Sequence, residues 1–96
     1  MTNFSTISAT LTAQREHLFS KYPLKSLAIF GSVSRGDNRP DSDVDIMVEF
    51  SEPVGIEFID LACDLEDLLG CKVDLVTRQG IKDRYFKYVE PDLKYV

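Results

Sequence analysis

Cysteine, histidine and positive charge are scarce in this sequence, and no long apolar run is present. Cys63 and Cys71 are the only cysteines and His17 the only histidine. Two thiols with one distant imidazole do not make a zinc pattern. The cysteines are expected as reduced, buried small side chains, and His17, beside Glu16 and near Arg15, at the surface. No apolar stretch nears the ~20 residues of a membrane helix. The segment from Met1 to Ser5 lacks the basic-then-apolar pattern of a secretion signal. A cytoplasmic location without membrane contact is therefore expected. Lysine and arginine total 11 against 16 acidic residues, giving a net charge of -5 and a pI of about 4.7. Contact with nucleic-acid backbone needs a basic face, so no direct nucleic-acid binding is expected. The acidic balance suits a metal site or a partner with a basic surface. Two phosphate-binding signatures are also missing: no Gly-Lys-Ser/Thr follows the glycines, and there is no dinucleotide fingerprint.

What remains is a chain of 96 residues, 44% hydrophobic and 28% charged. That suits one small domain spanning 1–96, with no repeat or linker. Ile7, Leu11 and Leu18 recur at helical spacing and predict a helix over 5–20, stopped before Pro23. Leu24 to Phe30 reads as a strand whose end, Ala28-Ile29-Phe30, is buried on both faces. A short helix over 32–35 follows and ends at Gly36. Residues 37–42 are a loop, and 43–50 form a second strand. A helix over 56–69 should place Ile56, Ile59, Leu61, Leu65 and Leu68 inward and stop at Gly70. Residues 71–76 are a third strand. Residues 81–89 can form a helix with Ile81 and Tyr85 inward, and Tyr85, Phe86 and Tyr88 are read as core. Residues 93–96 are a short extended tail.

The chemistry gathers between Leu27 and Phe50. Asp43 and Asp45 stand two apart on a strand, so both carboxylates project to one face, with Cα atoms roughly 6–7 Å apart. Aspartate is depleted in strands, and two carboxylates that close repel unless a cation lies between them. Mg²⁺ suits such a pair, because it takes one or two protein carboxylates and leaves its other positions for phosphates. Asp74 interrupts the run Val73-Asp74-Leu75-Val76 in the same way and faces opposite to Val73 and Leu75. If the second and third strands are neighbours, three carboxylates converge. Gly31-Ser32 closes the first strand. The glycine lets backbone approach a ligand, and serine at a helix start offers a hydroxyl and free amides for phosphate. Arg35 lies one helical turn from Ser32, where it can reach a phosphate or pair with Asp37 or Asp41. Together these parts describe two-metal phosphoryl or nucleotidyl transfer, with Asp74 able to take the proton of an incoming hydroxyl.

Gly31-Ser32, then ten residues, then Asp43-x-Asp45 resembles the signature of the DNA polymerase beta-like nucleotidyltransferase superfamily. The string GSVSRGDNRPDSDVDIMVEF with KVDLV at 72–76 is similar to the minimal nucleotidyltransferase (MNT) proteins, many of them antitoxins beside HEPN toxins. The resemblance covers nearly the whole chain. It implies an α+β fold, a small mixed β-sheet with helices packed on one face. It implies Mg-ATP bound at Gly31-Ser32, with Asp43 and Asp45 as ligands of two metal ions and Asp74 as the third carboxylate. It further implies an antitoxin of a type VII-like HEPN/MNT pair that moves AMP from ATP to a tyrosine hydroxyl of the partner HEPN RNase toxin. The alternative is a non-catalytic antitoxin that neutralises its toxin by binding alone. Transfer to a small-molecule hydroxyl is a weaker third reading, since no substrate domain is visible.

Overall fold

The three strands predicted from the sequence lie side by side in one sheet, and a fourth, short strand extends one edge. A computed structural model describes residues 3–96 of the chain. In chain order the elements are α1 (Phe4–Lys21), β1 (Leu24–Phe30), α2 (Gly31–Arg35), β2 (Val44–Phe50), α3 (Glu57–Leu69), β3 (Val73–Thr77), α4 (Asp83–Val89), a 3-10 turn (Glu90–Asp92) and β4 (Lys94–Tyr95). The sheet order is β3-β2-β1-β4. β1 runs antiparallel to both β2 and β4, whereas β2 and β3 run parallel. Parallel neighbours need a crossover, and α3 supplies it.

Strand alternation decides which face is packed. Leu27 and Ile29 of β1, Ile46 and Val48 of β2, and Leu75 of β3 point to one side. There they form a single core with Ile7, Leu11 and Leu18 of α1, Val33 of α2, and Leu61 and Leu65 of α3. All of these are buried, and each large aliphatic side chain so buried contributes about 1.5–3 kcal/mol. The fold is thus the expected mixed sheet with helices on one face. The other face of the sheet carries Asp45 and Asp74.

Caps and ties set the element ends. The side chain of Asn3 accepts a hydrogen bond from the Thr6 amide and caps α1, which starts at Phe4, one residue earlier than expected. Tyr22 is extended, as the residue before Pro23 must be. Its hydroxyl donates to Asp64 of α3 at 2.6 Å, and Lys21 pairs with the same carboxylate at 2.7 Å. Burial and Asp64 together raise the Tyr22 hydroxyl above its ordinary pKa, while Lys21 and Tyr22 lower that of Asp64.

Several expectations fail. Cys63 is exposed and Cys71 only half-buried, because Cys63 lies on the outer side of α3. Ile56 and Ile59 are 63% and 57% exposed. The helix starts only at Glu57, and its buried stripe runs through Leu61 and Leu65. Tyr85 and Tyr88 are also exposed, and α4 contains no buried residue. Phe86 is half-buried there, with the Arg78 guanidinium 3.6 Å from its ring centroid. The tail is a true strand: Ala28 pairs with Tyr95, and the Val96 amide donates to Leu27 at 2.9 Å. His17 is exposed as expected. Among the described residues no helix is long and apolar enough to cross a membrane.

Candidate active site

The buried run of β1 ends at Phe30, and the chain must turn at once to begin α2. Gly31 makes that turn at φ 73°, a left-handed conformation that strains any residue bearing a Cβ. A second constraint acts at the same atom. A Cβ on Gly31 would lie 2.2 Å from Oδ2 of Asp45 and 3.0 Å from its carboxyl carbon. The backbone of the β1–α2 turn therefore rests directly against the Asp45 carboxylate. α2 is short, has no side-chain cap, and ends at Gly36 with φ 80°. Ser32 and its amide stand in its first turn.

Register brings the carboxylates together. Asp45 is the ladder partner of Phe30 on β1 and of Asp74 on β3. Ladder partners share a face, so Asp45 and Asp74 project side by side from the face opposite α1 and α3. Asp43 lies one residue before β2 and is exposed, as is Asp74; Asp45 is half-buried. The Asp45 carboxyl is held above its usual pKa, first by burial, then by the charges of Asp74 and Asp43, with Arg35 pulling the other way. This is the signature of crowded like charge next to a low-dielectric wall.

Arg35 stands within electrostatic reach of Asp45. Its Nε donates to Asp37 at 3.0 Å and its Nη1 to Asp92 at 2.7 Å. These pairs raise the guanidinium pKa further. The Asp37 pair was among the sequence expectations. Asp92 was not, and no local pattern could have found it, because it lies 57 residues from Arg35.

The donor set fits a hard divalent cation: neighbouring carboxylates, that of Asp45 with raised proton affinity, and no soft ligand among them. Among the described residues no group of three or more His, Cys, Asp and Glu side chains is placed to hold a metal ion, so the convergence of three carboxylates expected from the sequence is not complete here. A cation here would draw its remaining ligands from water or substrate oxygens. A cavity of about 470 Å³ lined by Phe50, Pro53, Val54, Thr77 and Gln79 opens at the opposite ends of β2 and β3 and takes no part in this site.

The sequence profile of the family described as nucleotidyltransferase domain covers residues 11–95. The chain belongs to the nucleotidyltransferase domain family. Among relatives of this nucleotidyltransferase, a Methanocaldococcus jannaschii protein named as a candidate protein adenylyltransferase is 44% identical over the whole of both chains. The protein adenylyltransferase MntA of Thermococcus cleftensis is 39% identical over 100% of this chain and 98% of its own. A solved structure described as a candidate minimal nucleotidyltransferase superposes with a TM-score of 0.76 at 33% identity, covering 97% of this chain and 95% of that one. A toxin–antitoxin structure with AMP-PNP gives a TM-score of 0.59 at 28% identity, covering 84% and 61%. At 24% identity, a complex described as a tri-AMPylated Shewanella oneidensis HEPN toxin with its MNT antitoxin shares the fold, with a TM-score of 0.68 over 93% and 70%. The expected family, enzyme class and fold are thereby established.

Proposed function

We propose that this nucleotidyltransferase is a protein adenylyltransferase acting as the antitoxin of a HEPN/MNT pair in the cytoplasm. It transfers AMP from ATP to a tyrosine hydroxyl of the partner HEPN toxin, depends on Mg²⁺, and so silences the toxin. The observation that carries this reading is the pairing of Asp45 with Asp74 across β2 and β3, with the Gly31 backbone against Asp45. Neutralisation by binding alone gives no reason to crowd carboxylates at such a cost in repulsion. The relative named protein adenylyltransferase MntA and the toxin–antitoxin structure with AMP-PNP support the same substrate and partner class.

In this reading Asp43, Asp45 and Asp74 hold the metal, and Gly31, Ser32 and Arg35 bind the triphosphate. Bound Mg²⁺ supplies charge neutralisation at the reacting phosphate and its leaving group. The chain's own residues do the rest. The Ser32 hydroxyl and the first amides of α2 orient phosphate oxygens. Asp74 lies at the β3 edge of the sheet, where a protein hydroxyl can approach, and takes its proton. The hydroxyl oxygen bonds to the α-phosphorus of ATP, the bond from that phosphorus to the bridging oxygen breaks, and pyrophosphate leaves.

Label position in ATP tests this. Purified chain, Mg²⁺ and the partner HEPN toxin are incubated with ATP labelled at the α- or the γ-phosphate. Label from the α position should enter the toxin and map to tyrosine, with none from the γ position. Neutralised toxin carrying neither label would reject the reading in favour of binding alone.

A further inference from the structure

The C-terminal segment is fastened to the site from three elements. The Ser34 hydroxyl of α2 donates to the Asp92 carbonyl. The Val96 amide donates to Leu27 of β1 at 2.9 Å, and Arg15 of α1 donates to the Val96 carbonyl at 3.3 Å. This fastening sets Asp92 beside α2, where its carboxylate takes Nη1 of Arg35 at 2.7 Å. The Asp92 side chain is 17% exposed, against 60% for Asp37, the other carboxylate on the same guanidinium. Asp92 is the more buried member of the clamp and Asp37 the more exposed one.

We infer that Asp92 is a positioning residue of the nucleotide site, holding Arg35 so that its free edge meets the phosphates of bound ATP. The inference rests on the nucleotide reading above. A guanidinium carries five N–H donors in a rigid plane. The two carboxylates engage Nε and Nη1, and both donors of Nη2 stay available. Each of these N–H groups can donate a charge-assisted hydrogen bond to a phosphate oxygen. A long side chain fixed beforehand loses less freedom when the ligand arrives, and affinity rises accordingly. The 3-10 turn at Glu90–Asp92, which the sequence presents only as the end of a helix, thus becomes part of the active-site wall.

The test compares the full chain as wild type, Asp92→Asn, Asp92→Glu, Arg35→Ala and the double variant Arg35→Ala/Asp92→Asn. Affinity for a non-hydrolysable ATP analogue with Mg²⁺ is measured by calorimetry, and thermal unfolding is followed in parallel. Asp92→Asn should weaken nucleotide binding about two- to fivefold, the scale of a partly exposed charge pair. Asp92→Glu should recover part of the loss. The double variant should bind no worse than Arg35→Ala alone, since the two residues act as one unit. Affinity that is unchanged or tighter in Asp92→Asn, or losses that add in the double variant, would overturn the inference. So would a lower melting temperature with intact nucleotide affinity, which marks a purely structural tie. Failure of the wild type to bind the analogue at all would reject the nucleotide reading and this inference together. Binding that is equal in wild type and Asp92→Asn rejects the inference alone.

Discussion

Replacing Gly31 by alanine perturbs the site at one atom, and the structure fixes the size of the effect. Two costs add. The first is conformational: at φ 73° a residue with a Cβ loses about 1–2 kcal/mol. The second is steric: the new methyl would lie 2.2 Å from Oδ2 of Asp45, so the carboxylate must swing away or the turn must shift, at about 1–3 kcal/mol on the scale of overpacking. The sum is roughly 2–5 kcal/mol. For a domain of this size each kcal/mol moves the melting temperature about 4–8 °C, so Gly31→Ala should melt at least ~8 °C below wild type. The two costs are separable. In an Asp45→Ala background the obstructing carboxylate is gone, and only the conformational part, about 1–2 kcal/mol, should remain. Thermal unfolding of the four proteins in chelator closes this double-mutant cycle. A Gly31→Ala protein as stable as wild type would refute the close approach of turn and carboxylate. An equal loss in both backgrounds would refute the steric half.

Other outcomes follow from the same geometry. Asp45→Asn removes one of the crowded charges, so in chelator it should not lower the melting temperature; a large drop would give Asp45 a structural role. The raised Asp45 pKa means that the folded state holds this proton more tightly than the unfolded chain. Metal-free stability should therefore fall as pH rises from the ordinary carboxylate range through the raised folded value, and added Mg²⁺ should offset the loss. Denaturant titrations at stepped pH, with and without Mg²⁺, check this; the slope should flatten in Asp45→Asn. Leu61→Ala, in the core cluster, should cost about 2–5 kcal/mol in urea unfolding and leave AMP transfer per folded molecule near wild type. Tyr22→Phe should cost about 1 kcal/mol, the worth of its hydrogen bond to Asp64; no change in urea unfolding would show that bond to be idle.

Much of the fold and some of the site can be read in the chain because strand alternation is local. Val44, Ile46 and Val48 against Asp45 and Met47 state the faces of β2, and Asp74 between Val73 and Leu75 does the same for β3. The phase of Asp45 and Asp74 is therefore legible, but their side-by-side register is not. It depends on how the α3 crossover lays β3 along β2. Ile56 and Ile59 misled because the helix starts only at Glu57, leaving Ile56 outside it, and its buried stripe runs through Leu61 and Leu65 rather than Ile59. α4 misled for a related reason. Its seven residues make barely two turns, too few to fix an inward face, and its half-buried aromatic is Phe86 rather than Tyr85. Asp92 was invisible because its partner Arg35 is brought to it only when β4 joins the edge of β1.

The most direct measurement is the intact mass of the partner toxin after co-expression with the wild-type chain or with Asp43→Ala/Asp45→Ala. The account predicts toxin heavier by whole AMP units with wild type and unmodified toxin with the double variant. Equal modification by both would contradict the assignment of catalysis to the Asp43 and Asp45 carboxylates.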